Sequence, residues 1–250
     1  MTNPEHAPSS EALLAAAQTL PKQRLSQMTH GDRVYFVKMA EEHRGMRWRL
    51  QKGDPQAAFR REKALLRAFA ARGASVPTIL AEDDQRIVLG DHGRPMHQII
   101  AESMNCSDVL RTAGAALTEL HVLGLAHGRP SLRDLCWDGA TITFIDLEAG
   151  ATLDARPRHK ARDLFLLLHS TMTWCPHSSE PAAEIARAYH AQGDIAVRQY
   201  LSRLARWLFW LDFLTGPVIW WHARRGKTRS EFLAFRRTRH LILNLQNAGV

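Results

Sequence analysis

A carboxylate sits where an apolar side chain belongs. Asp54-Pro55 opens a helix, since Asp is a good N-cap and Pro suits the first helical position. The helical pattern runs to about Arg72, and Gly73 stops it. Within it, the residues three and four positions from Glu62 include Ala58, Phe59, Leu65 and Leu66, so Glu62 lies on the apolar face. A carboxylate there is costly unless a cation meets it. One cation is placed in the same way. The strand Val34 to Met39 follows a strand Leu25 to Thr29 and a His30-Gly31-Asp32 turn. Its alternation puts Val34, Phe36 and Lys38 on one face. Two opposite charges on the apolar faces of successive elements predict one buried pair, Lys38–Glu62. The alternative is that Glu62 lies at the edge of its helix and reaches water.

The remaining pattern is strands and one helix first, then helices. Residues 1–10 are polar, with Pro4 and Pro8, and are expected to be disordered; Glu11 to Leu20 predicts a short helix. Strands are expected near Thr78 to Ala81 and Arg86 to Leu89, around an Asp-rich turn. Arg111 to Leu123 reads as a helix with Ala113, Ala116, Leu117 and Leu120 on one face. Leu135 to Ile145 reads as a hairpin turning at Asp138-Gly139. Helices follow over Lys160 to Thr173, Glu180 to Gln192, Asp194 to Leu214 and Glu231 to Gln246. The fold class is therefore α+β, in two lobes. Residues 1–20 form an N-terminal extension, 21–97 a small mixed lobe, and 98–250 a larger, mainly helical lobe.

Composition narrows the function. With 45% hydrophobic and 23% charged residues, wholesale disorder is excluded. The three cysteines, Cys106, Cys136 and Cys175, are an odd count at unrelated spacings, which predicts a reducing compartment and no structural zinc. The N-terminus carries Glu5 and Glu11, no early Lys or Arg and no continuous apolar core, unlike a secretory signal. The expected location is the cytoplasm.

Charge is concentrated at one end. Residues 201–250 hold nine Lys or Arg against Asp212 and Glu231, a balance of +7 in a chain of +8. Four of the seven tryptophans (Trp207, Trp210, Trp220 and Trp221) lie there too. A cationic, Trp-rich segment suits an anionic partner with an apolar interior, so residues 200–240 are expected to touch an anionic membrane surface. Nucleic acid fits less well. The apolar run Trp207 to Trp221 is shorter than the roughly 20 residues that span a bilayer. The alternative is a helical core with a solvated basic rim.

The run LTELHVLGLAHGRPSLRDL (residues 117–135) is a helix end followed by a polar loop that leads into the hairpin. The hairpin closes on TFIDLE, so Asp146 emerges at a strand end, where active-site groups commonly sit; the lesser alternative is a turn-forming Asp. Together these pieces resemble the protein-kinase-like fold, in particular the lipopolysaccharide core kinases (the heptose and Kdo kinases), with similarity to the small atypical kinase of the KEOPS complex. The matching segments run in family order over roughly residues 28–170: VYFVK ending at Lys38, FRREKALL with Glu62, LTELHVLGLAHG, HGRPSLRDL, TFIDLE with Asp146, and KARDLFLLL around Asp163. The resemblance implies that Lys38 holds the α- and β-phosphates of ATP and Glu62 orients Lys38. It implies also that Asp146 binds Mg²⁺ and Asp163 braces the catalytic loop.

The chain departs from that family twice. No G-x-G-x-x-G precedes Lys38. Counting from His127 against the family loop H-x-D-L-x-x-x-N, Arg129 stands at the catalytic Asp position and Asp134 at the Asn position. Two readings stay open. In one, Asp134 and Asp146 jointly take Mg²⁺ while Arg129 neutralises the transferring phosphoryl group; in the other the chain is a pseudokinase, with Arg129 paired to Asp134 or Glu148. His127 is read as a structural loop residue and Cys136 as inert packing. The expected function is an Mg²⁺- and ATP-dependent phosphotransferase acting on a lipid-linked or membrane-associated hydroxyl such as a lipopolysaccharide core sugar. The alternatives are a pseudokinase regulating envelope biogenesis by nucleotide or partner binding, and a tRNA-associated protein like the KEOPS kinase.

Overall fold

The computed structural model describes residues 8–40, 54–102, 106–147, 150–225 and 230–247. The chain divides into two compact units between His92 and Gly93.

The first unit contains α1 (Ser10–Gln18), β1 (Leu25–His30), β2 (Arg33–Met39), α2 (Pro55–Ala71), β3 (Ile79–Glu82) and β4 (Arg86–Gly90). Its strands form one antiparallel sheet in the order β1-β2-β4-β3. Gly31 permits the tight β1–β2 turn by taking φ +61°, the left-handed conformation that side chains disfavour. Asp83 makes the β3–β4 turn, its Oδ1 accepting the backbone N–H groups of Gln85 and Arg86 at 2.7 and 2.6 Å. Helix α1 begins at its Ser9 cap and buries Leu13 and Ala17 against the sheet. Tyr35, Val37 and Met39 of β2 share that core with Met28, Ala81 and Val88. Alternation leaves Val34, Phe36 and Lys38 on the other face of β2, as expected. Most of the segment expected to be disordered, residues 1–10, lies outside the described residues, and helix α1 starts at its end.

The second unit opens with β5 (Arg94–Pro95), α3 (Met96–Glu102), α4 (Ser107–Val122) and β6 (Leu125–Ala126). It continues through β7 (Leu135–Trp137), β8 (Ile142–Phe144) and β9 (Thr152–Leu153). The helices α5 (Pro157–Trp174), α6 (Glu180–Gln192), α7 (Ile195–Trp207), α8 (Phe209–Arg224) and α9 (Glu231–Asn247) complete it. The β7–β8 hairpin turns at Asp138, whose Oδ1 accepts the N–H groups of Ala140 and Thr141 at 2.8 Å, with Gly139 at φ +106°. Helices α4 and α6 touch backbone to backbone. A Cβ on Gly114 would lie 2.3 Å from the Ile185 carbonyl oxygen, so only glycine fits. Helix α5 is central, burying Ala161, Asp163, Leu164, Leu167, Leu168, Thr171 and Met172.

Three elements differ from the sequence reading. Helix α4 starts four residues before Arg111, at Ser107, with Asp108 complementing the positive end of its dipole. On α4 the buried stripe includes Ala113, Leu117 and Leu120, while Ala116 is only half-buried. The single helix expected over Asp194 to Leu214 is two helices, α7 and α8, broken at Leu208. Helix α7 keeps a buried stripe of Val197, Leu201, Ser202 and Ala205. Beyond it the sequence is apolar all round, so no polar face holds the chain in the same register against its neighbours.

Candidate active site

Helix α2 brings Glu62 under β2. Its Asp54 cap accepts the Gln56 N–H at 3.0 Å, and Phe59, Leu66 and Phe69 are buried along the same face as Glu62. The Lys38 ammonium donates to Glu62 Oε1, with both side chains nearly sealed from water, at 11% and 4% exposure. The buried pair follows from the charge pattern alone: neither group could stay there unpartnered.

In the second unit the β7–β8 hairpin sets the position of two carboxylates. Asp134 precedes β7 and Asp146 follows β8; the Ile145 N–H donates to the Asp134 carbonyl at 2.9 Å, which closes that end of the ladder. Both aspartates therefore leave the same end of one hairpin, and both line one cavity of about 840 Å³ together with Arg129. Asp134 is fixed by Ser131, whose N–H and hydroxyl donate to Oδ2 at 3.0 and 2.7 Å. Burial pushes the Asp134 carboxyl above its usual range; the Ser131 hydroxyl opposes this, and the negative Asp146 adds to it. Asp146 adopts φ +63°, left-handed backbone that costs energy for a side-chain-bearing residue and recurs at functional sites.

The loop is braced from below. Asp163, wholly buried on α5, accepts the N–H groups of His127 and Gly128 at 2.6 and 2.9 Å. His127 donates from Nε2 to the Ile145 carbonyl at 2.8 Å, tying the loop to the residue before Asp146. That contact makes His127 a structural link, as the sequence reading has it. Gly128 is required: a Cβ there would lie 2.2 Å from the Gly150 carbonyl carbon, and its φ is +93°.

Arg129 is exposed at the cavity rim, and among the described residues it forms no ion pair with Asp134. Glu148, the other expected partner, lies outside the described residues. Two carboxylates lining one cavity are the hard oxygen set that Mg²⁺ prefers, and burial, with a smaller repulsion from Asp146, disfavours the Asp134 charge that a divalent cation would stabilise. The residues present thus fit such an ion, though no cluster of three or more His, Cys, Asp or Glu ligands occurs among the described residues.

The sequence reading missed the floor of this cavity. Leu166, His169, Ser170, Thr173 and Trp174 of α5 line it, and Ser170 Oγ accepts the Leu132 N–H at 3.1 Å. Their spacing is that of one helix face, and a mostly polar stripe at that spacing on an otherwise buried helix is a legible signal. Arg133 lies over the Trp174 ring, 5.5 Å from its centroid. Cys136 is buried, and Cys106 and Cys175 are half-buried.

No family model matches the chain. A protein of Haemophilus influenzae (strain ATCC 51907 / DSM 11121 / KW20 / Rd), described as uncharacterized, is 30% identical over 132 residues. The match takes in 51% of this chain and spans 54% of the relative's length. Among solved structures, the streptomycin–ATP–APH(2")-IIa ternary complex aligns with 94% of this chain and 99% of its own, at 13% identity and a TM-score of 0.43. The gentamicin–APH(2")-IIa complex aligns with 95% and 99%, at 13% identity and a TM-score of 0.46.

Proposed function

We propose that this chain is an ATP-dependent phosphotransferase that uses Mg²⁺ and acts on a hydroxyl of a lipid-linked or sugar acceptor. The observation that carries the reading is the pair of aspartates, Asp134 and Asp146, placed by one hairpin at the edge of one cavity, with strained backbone at Asp146. The buried Lys38–Glu62 pair supports it, being the lysine–glutamate couple that the kinase-like resemblance implies.

In this reading Lys38 binds the α- and β-phosphates, and Glu62 fixes the ammonium direction. Asp134 and Asp146 hold Mg²⁺, which when bound neutralises charge on the phosphate oxygens. Arg129 supplies a second cation to the transferring phosphoryl group. Its freedom from Asp134 supports that role over a locked, inert loop. Transfer forms a P–O bond to the acceptor oxygen, breaks the bond to the ADP leaving group and releases the hydroxyl proton to solvent. A loose transition state needs charge neutralisation and alignment more than a strong base, so Arg129 at the usual Asp position is compatible with turnover. The acceptor would lie in the cavity floored by α5, where Ser170, Thr173 and His169 offer polar contacts to a polyhydroxylated ring. A lipopolysaccharide core sugar, reached from the cytoplasmic side of the membrane, fits the resemblance and the cationic, Trp-rich end of the chain.

Thermal unfolding with ATP, with Mg²⁺ and with both tests the proposal. Joint stabilisation beyond either alone, lost in Asp146→Asn, is expected. Arg129→Ala should keep that stabilisation and slow turnover. Stabilisation without turnover on any sugar or lipid hydroxyl would leave a nucleotide-binding pseudokinase, and no stabilisation at millimolar ATP would remove the nucleotide site.

A further inference from the structure

Helix α8 is unlike the other helices of its unit. Phe209, Trp210, Phe213, Leu214, Val218, Trp220 and Trp221 are all exposed, Phe213 at 84%. Its apolar residues circle the whole helix, so no side is set apart for water. Helices α7 and α9 are its neighbours, and it is tied to α9 by Asp212, which accepts from Arg239. An exposed apolar surface of this kind marks an interaction site.

The charge around α8 selects the partner. Arg203 and Arg206 are exposed on the preceding helix, and Arg224 and Arg225 at its far end. The one acidic residue of α8, Asp212, is neutralised by Arg239. Arg224 and Arg225 lie over the rings of Trp220 and Trp221, 4.1 and 3.9 Å from the centroids, so each indole carries a cation on its face. Apolar rings flanked by arginine at both ends match a surface whose outer layer is anionic and whose interior is hydrocarbon. No helix among the described residues is long and apolar enough to cross a membrane. Helix α8 turns Leu211, Asp212, Thr215 and Ile219 toward the protein and Phe213, Trp220 and Trp221 outward, so its apolar outer side can lie along such a surface rather than cross it.

We propose that α8 is an in-plane docking element for an anionic lipid bilayer, with Phe213, Trp220 and Trp221 entering the headgroup–acyl boundary and the four arginines held at the lipid phosphates. The surface stands independently of the phosphotransfer reading. If that reading holds, docking would bring the cavity to an acceptor already in the membrane.

The test is co-sedimentation of the full chain with phosphatidylcholine vesicles with and without phosphatidylglycerol, at low and high salt, alongside tryptophan fluorescence. Binding only to the anionic vesicles, weakened by salt and accompanied by a blue shift, is expected. Arg224→Gln with Arg225→Gln should lower partitioning about 25-fold, roughly fivefold per arginine. Phe213→Ser and Trp220→Ser should each lower it at least tenfold; these side chains are exposed, so both variants should melt as the wild type does. Three results would overturn the proposal: no binding to anionic vesicles at low salt, equal binding to neutral vesicles, or a concentration-dependent dimer that shields these tryptophans from an aqueous quencher. Loss of the ATP–Mg²⁺ thermal shift with vesicle binding intact would instead sink the phosphotransfer reading and leave the docking surface standing.

Discussion

A buried ion pair contributes less than it would cost to break. Lys38 and Glu62 are held where either charge alone would be stranded, so Lys38→Ala should cost about 3 kcal/mol of stability. Replacing both, as Lys38→Met with Glu62→Leu, should recover most of that loss, because two apolar side chains suit the same space. Urea unfolding of the single and double variants measures the difference. A double variant as unstable as the single one would mean that the pair does more than satisfy itself. Asp146 offers the opposite case. Its left-handed backbone would relax on Asp146→Gly, which should raise stability by about 1 kcal/mol. The same change should abolish the Mg²⁺-dependent ATP effect. A stability gain with that effect retained would argue that the aspartate serves the turn alone.

At the scale of elements, α5 organises the loop through a single carboxylate. Asp163 accepts two backbone N–H groups, from His127 and Gly128, and His121 Nε2 lies 3.5 Å from Oδ2. Asp163→Asn keeps the shape but turns one acceptor into a donor, leaving a buried N–H unmet. The expected cost is about 2 kcal/mol, with faster amide exchange at His127 or Gly128. Unchanged exchange there would show that the loop holds itself. Much of this architecture was legible because it is local. Alternation placed Lys38, helical spacing placed Glu62, and the Asp138-Gly139 turn brought Asp134 and Asp146 to one hairpin end. What was not legible depends on contacts between distant segments. The need for glycine at 114 arises from the Ile185 carbonyl on α6, and the need at 128 from Gly150. The break at Leu208 was hidden because the apolar run through α8 has the composition of a core helix, and only tertiary context shows it to be exposed.

Across the whole molecule the histidines set a lower pH limit on stability. Burial, with Arg198 adding repulsion, lowers the His190 pKa from 6.5 to about 4. Its Nδ1 is buried with no hydrogen-bond partner among the described residues, so the imidazole is held neutral. Burial also lowers His121, which accepts from the Tyr189 hydroxyl at Nδ1 and directs Nε2 toward Asp163. A histidine whose folded pKa lies below its unfolded value binds fewer protons folded than unfolded. Its stabilisation is complete above pH 6.5 and is lost as the pH falls toward 4. Asp212 acts in the same direction but at lower pH: burial pushes its carboxyl up, Arg239 and His240 outweigh that and hold it below the usual range, so its contribution is lost only as the pH falls through the carboxylate range. The stability of the chain should therefore fall steadily between about pH 6.5 and pH 4, with His190 alone contributing about 1 kcal/mol of the loss by pH 5 once partial solvent access is allowed for. His190→Asn has no proton to take up over that range. Its urea midpoint should be lower than that of the wild type at pH 7.5, and the two should converge as the pH approaches 5. Parallel curves would show that His190 is as well solvated folded as unfolded, and would shift the acid sensitivity to His121.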